Sequence, residues 1–93
     1  MILELIQILI FSLLFSANCA LGDGYGGSEA GLNGQFTFEG CIVAVKEQYP
    51  SANGATMDAG CTNNCACYAE FGMTGWSGTS YQSCMFNSGG ELE

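Results

Sequence analysis

Residues 61–71 read CTNNCACYAEF, with Cys61, Cys65 and Cys67 crowded into one short stretch. The alternation that follows places Cys67, Ala69, Phe71 and Met73 on one side of an expected strand. Tyr68, Glu70 and Gly72 fall on the other side. The fold turns on what the thiols do. Zinc or an iron–sulfur cluster needs four thiolates converging on one point. There are enough cysteines for that, but the chain has no His and no C-x2-C pair. Redox exchange through C-x-x-C lacks its motif for the same reason. The thiols therefore read as disulfide staples, and no cofactor or metal is expected.

The compartment agrees with that reading. The chain starts MILELIQILIFSLLFSANCALG. An almost wholly apolar run, Ile8 to Phe15, is followed by small residues, the layout of a secretory signal peptide over residues 1–22. Cleavage before Asp23, or alternatively before Ala20, satisfies the small-residue rule, and both cuts remove Cys19. An uncleaved anchor is the competing reading, but Glu4, Gln7 and Asn18 interrupt the run. A secreted chain meets an oxidising environment, where disulfides form and persist. Five cysteines remain after cleavage: Cys41, Cys61, Cys65, Cys67 and Cys84.

The chain of 93 residues is long enough for one small domain. Residues 23–34, DGYGGSEAGLNG, read as a Gly-rich flexible leader, and residues 87–93, NSGGELE, as a flexible tail. The core is then residues 35–86, too small to hold together comfortably without staples. Within it, QFTFEG places Phe36 and Phe38 on one face of a short strand. CIVAVKEQYP carries Ile42, Val45 and Tyr49 at helical spacing, and Pro50 stops the pattern. A turn at Asn53-Gly54, a short strand at Ala55-Thr56-Met57, the alternating strand, a Gly/Ser/Thr loop around Trp76 and a last strand YQSCMF complete it. The expected fold is α+β: a short helix packed on a three- to four-stranded antiparallel sheet, in the order β-α-β-β-β.

Sequence alone does not choose among the pairings of five cysteines. Cys65 and Cys67 are too close along an extended strand to join without strain, so each pairs elsewhere. The preferred set joins Cys41 to Cys67, pinning the helix to the alternating strand, and one of Cys61 or Cys65 to Cys84. The odd cysteine is left free or linked to another chain.

The stretch CIVAVKEQYPSANGATMDAGCTNNCACYAEFGM, residues 41–73, resembles the central part of PAN/apple domains. There a helix beginning with Cys leads to a short strand, a turn and a second strand opening with Cys-aromatic. On this match Cys41 is the helix cysteine, Cys67 the strand cysteine, and Ala55-Thr56-Met57 the first strand of the hairpin. Val45 stands in place of a second helix cysteine. After cleavage, no cysteine precedes Cys41 to pair with the terminal Cys84. The resemblance implies a non-catalytic secreted or ectodomain module that binds protein or carbohydrate.

Charge narrows the partners further. Lys46 is the one cation, and the formal net charge is −8. Such a chain does not neutralise a phosphate backbone or an anionic membrane, so nucleic acid and anionic lipid are excluded as partners. With no His and no spaced carboxylate pair, an enzyme is not expected. What remains for recognition is polar-aromatic surface: Tyr68, Glu70, Trp76 and Tyr81 are the candidate ligand residues. The competing expectations are that Trp76 caps the small core, and that Tyr68 and Glu70 form a solvated strand face. The functional expectation is a secreted binding module for an extracellular protein or glycan. The alternatives are a matrix or coat component cross-linked through the odd cysteine, and a secreted effector or inhibitor.

Overall fold

The computed structural model describes residues 18–86. The expected tail, residues 87–93, and residues 1–17 of the expected signal lie outside the described residues. Five strands and one helix form the fold: β1 Asn18–Tyr25, β2 Ser28–Phe36, α1 Phe38–Gln48, β3 Gly54–Asp58, β4 Cys65–Phe71 and β5 Gly75–Met85. The strands make one antiparallel sheet in the order β1-β5-β3-β4-β2. The class is α+β with a helix on an antiparallel sheet, as expected, but the sheet is larger than three or four strands. The extra strands come from residues read as leader. Residues 23–34 lie mostly in β1 and β2, and residues 18–22 of the expected signal also belong to β1. The stretch around Trp76, expected as a loop, is the first half of β5.

Helix α1 starts earlier than its apolar spacing indicates because Thr37 caps it. Thr37 is extended, and its hydroxyl accepts the Gly40 amide at 2.9 Å. Phe38, read as strand, is therefore the first helical residue. Glu39 in the first turn and Lys46 in the last suit the helix dipole. The helix buries Cys41, Ile42, Ala44 and Val45. Of these, Cys41, Ile42 and Val45 meet Ala55, Met57, Cys65, Cys67, Ala69 and Cys84 from one face of the sheet. Burying Ile42, Val45 and Met57 contributes about 1.5–3 kcal/mol each. At the rim, Tyr49 meets Phe71 edge to face with ring centroids 5.6 Å apart, and the Lys46 ammonium lies 4.7 Å from the centre of the Phe86 ring.

The expected alternation holds through Cys67, Ala69 and Phe71 but not at Met73. Gly72, with φ of 71°, breaks the strand. Met73 is buried, yet its sulfur lies over Gly54 beside Glu70, on the face away from the helix.

The disulfides are Cys41–Cys67, Cys61–Cys65 and Cys19–Cys84. The first ties α1 to β4 as expected. The other two correct the expected pairing of Cys61 or Cys65 with Cys84. Cys19 on β1 is the register partner of Cys84 on β5, so those two sulfurs face one another across the ladder. Cys61 and Cys65 close the loop between β3 and β4 on themselves. With Cys19 present all six cysteines pair, and an odd thiol, that of Cys84, would arise only on removal of Cys19.

One connection shapes the rest. β1 and β2 are the two edges of the sheet, yet only Gly26 and Gly27 separate them. The sheet must curl until its edges come together at that end. The Thr74 amide donates to the Tyr25 carbonyl at 2.7 Å, and Gly27 packs directly on the Phe71 carbonyl. The curl runs away from the helix, so the second face of the sheet becomes a partly enclosed interior.

Candidate functional site

Strand alternation and register assign the residues of that second face. Tyr68 pairs with Thr56, which pairs in turn with Ser83. Glu70 pairs with Gly54 on one side and Glu29 on the other, and Tyr81 pairs with Asp58. All these positions share the face opposite Cys67 and Ala69. The structure thus brings Tyr68, Glu70 and Tyr81 to one side of the sheet, and Trp76 joins them through β5.

They do not stand in equal exposure. Glu70 was expected on an open strand face, but only 4% of it is exposed. The β1 arm covers it: a Cβ at Gly24 would lie 2.5 Å from the Glu70 carboxyl carbon. Two further side chains under the arm, Thr56 and Ser83, are buried as well. Thr56 Oγ1 lies 2.7 Å from Glu70 Oε2 and 2.7 Å from Ser83 Oγ. Ser83 Oγ donates to the Gly22 carbonyl at 2.7 Å, and the Gly24 amide donates to Thr56 Oγ1 at 3.2 Å. Among the described residues no buried side-chain nitrogen or oxygen lacks a partner.

Trp76 is half-buried and held to the same region. Its indole N–H donates to the Ser83 carbonyl at 2.9 Å. Gly22, with φ of 131°, packs against its Cβ. The structure therefore places Trp76 as a clasp between the two halves of β5. Tyr68 and Tyr81 are half-exposed, and Asp58 beside Tyr81 is open to water. The Tyr68 ring lies over Gly31 of β2, where no side chain obstructs it.

The electrostatics are set by three carboxyls. Oxygens of Asp23, Glu29 and Glu70 lie within 4.8 Å of one another. Burial pushes the Glu70 carboxyl from 4.5 up to about 7. A hydrogen bond donated by Thr56 to the carboxylate would oppose the rise, while close contact with Glu29 and the charges of Glu29 and Asp23 add to it. No cation balances them, since the chain's single one, Lys46, sits on the helix against Phe86.

No family model matches the chain. Neither a curated protein nor a solved structure matches it either.

Sequence reasoning placed Tyr68 and Glu70 on the right face but missed Asp23, Glu29, Thr56 and Ser83. A signal for the strand that carries Asp23 was available. Gly22, Gly24 and Gly26 recur with period two, the spacing of a strand that must keep one side flat. Nothing in the sequence shows that residues 18–36 supply both edges of one sheet.

Proposed function

We propose that this chain is a secreted, non-catalytic binding module that takes an extracellular protein or carbohydrate ligand on the open end of its polar face. The observation that carries the reading is the pair Tyr68 and Tyr81, half-exposed on that face, with the exposed carboxylate of Asp58 beside Tyr81. Phenol rings offer apolar area and a hydroxyl at low entropic cost, which suits both sugar rings and protein side chains. Glu70 and Trp76 leave the contact set, because the first is covered and the second is committed to the Ser83 carbonyl.

Three disulfides in so small a domain fit an oxidising compartment. The apolar run before residue 18 acts as a signal that is cut upstream of Cys19, so that Cys19 stays with Cys84. The PAN/apple resemblance supports the same reading, since Cys41–Cys67 joins helix to strand and Cys19–Cys84 supplies a cysteine before the helix for the terminal one. Cross-linking into a coat has lost its motive, because no cysteine is unpaired.

The test is a screen of the secreted monomer on glycan and extracellular-protein arrays, repeated with Tyr68→Ala and Tyr81→Ala. Both variants should melt close to the parent and bind the hits at least tenfold more weakly, the loss expected of an aromatic anchor. Parent-like binding by both variants removes this face as the site. Disulfide-linked multimers on non-reducing gels favour the assembly reading instead.

A further inference from the structure

The polar row under the β1 arm contains more close oxygen contacts than its hydroxyls have hydrogens. Three contacts run in series, from Glu70 Oε2 to Thr56 Oγ1, to Ser83 Oγ, to the Gly22 carbonyl, each 2.7 Å long. Each needs one hydrogen. The Gly22 oxygen only accepts, so Ser83 spends its single hydrogen there. Thr56 must then give its hydrogen to Ser83. A Thr56 hydroxyl that donates to Ser83 has none left for Glu70. The third hydrogen can come only from the Glu70 carboxyl itself. Thr56 Oγ1 is then fully used: it donates to Ser83 and accepts from Glu70 and from the Gly24 amide.

We propose that Glu70 is held as a neutral carboxylic acid that donates to Thr56, closing a hydroxyl chain that fastens the β1 arm over the polar face, and that loss of this proton to solvent unfastens the arm. The groups around Glu70 agree. Asp23 from β1 and Glu29 from β2 face it with negative charge. β3 and β5 contribute only the hydroxyls of Thr56 and Ser83, and Tyr68 is the neighbouring titratable group on its own strand. No cation is within this set. Ionised Glu70 would leave one contact of the row without a hydrogen and would confront Glu29 with a like charge. The raised position of the Glu70 titration, about 7, places the event near neutral pH. With no histidine in the chain, no other side chain ordinarily titrates between pH 5 and 8. The inference does not depend on any ligand.

The arm responds because two of its backbone groups are in the chain: the Gly22 carbonyl accepts from Ser83 and the Gly24 amide donates to Thr56. Carbon-detected NMR titration of the full disulfide-bonded chain, with chelator present, reads the Glu70 carboxyl directly. Its midpoint should fall near neutrality. Ser83→Ala frees the Thr56 hydrogen for the carboxylate, so the midpoint should drop by about one pH unit or more. Thr56→Ser keeps the hydroxyl and should retain the parent midpoint. Glu70→Gln supplies a permanent donor of the same shape. Above the midpoint the Gly24 amide should exchange about tenfold faster in the parent than in Glu70→Gln at the same pH. An ordinary midpoint near 4.5 in the parent overturns the proposal. So does a Ser83→Ala midpoint equal to the parent's, which would mean the hydroxyl row does not hold the proton. Equal exchange at Gly24 in parent and Glu70→Gln above the midpoint would show that the arm does not respond.

Discussion

Cys19 decides between two different molecules, so its removal is the perturbation with most to teach. In the structure it closes a loop to Cys84 with a sequence separation of 65. The chain-entropy treatment of a cross-link assigns such a loop about 4 kcal/mol. The same treatment gives roughly 3.5 kcal/mol for Cys41–Cys67, separated by 26, and about 2 kcal/mol for Cys61–Cys65, separated by 4. The variant to make is Cys19→Ser with Cys84→Ser, which avoids an orphan thiol that could reshuffle. A domain of this size shifts its midpoint by roughly 4–8 °C per kcal/mol, so the double variant should melt roughly 15–30 °C below the parent. Cys61→Ser with Cys65→Ser is the internal control and should lose about half as much. Thermal unfolding by circular dichroism reads both, and peptide mapping of the secreted parent under non-reducing conditions reads the pairing. The reasoning fails if the Cys19/Cys84 double variant melts within a few degrees of the parent. It also fails if the mature protein begins at Ala20 or Asp23, because Cys19 would then be absent.

Three further outcomes are expected. Trp76→Ala removes a half-buried indole and its bond to the Ser83 carbonyl, so urea unfolding should show a loss of roughly 2 kcal/mol; an unchanged midpoint would return Trp76 to the candidate ligand residues. Gly24→Ala sets a methyl against the Glu70 side chain and should cost about 1–3 kcal/mol in the same assay, whereas a flexible leader would tolerate it. Stability should depend on pH in the sense opposite to ordinary acid unfolding: the Glu70 carboxyl is raised in the folded state, so its contribution is full below 4.5, declines as pH rises towards about 7 and is flat above. The interval is worth at most about 3 kcal/mol, and urea midpoints of the parent and Glu70→Gln at pH 5, 6.5 and 8 measure it.

The half of the fold built around the helix was legible because it follows simple periodicities. Ile42, Val45 and Tyr49 mark the helix, Pro50 its end, and Cys67, Ala69 and Phe71 the buried strand face. The pairing of Cys41 with Cys67 follows once helix and strand are packed. The other half was hidden by glycine. A stretch such as DGYGG has the composition of a linker, and composition does not distinguish a glycine that is free from one that is pressed against a neighbour. Gly24 belongs to the second kind, because the Glu70 side chain fills the space a Cβ would take. Reading it as the first kind removed β1 and β2 from the sheet.

Glu70 illustrates why site chemistry was harder to read than fold. Its parity along β4 was clear, and parity alone puts it opposite the helix. A sheet with one apolar face and one polar face normally leaves the polar face in water. This sheet does not, because the two-residue link between its edges forces a curl that encloses the polar face. Enclosure is a property of topology, set by the order β1-β5-β3-β4-β2, and no local pattern encodes it. Once enclosed, a carboxyl must find a hydrogen-bond partner or give up its charge. Thr56 and Ser83 supply the partners, and the proton count along their row makes the loss of charge the consistent solution. The sequence carries one trace of that arrangement. Thr56 stands between Ala55 and Met57, both fully buried on the helix side, so its hydroxyl must point into the opposite face. A buried strand with a single threonine among apolar neighbours calls for a polar partner across the ladder, and the in-register positions on β5 and β4 hold Ser83 and Tyr68, with Glu70 one step along.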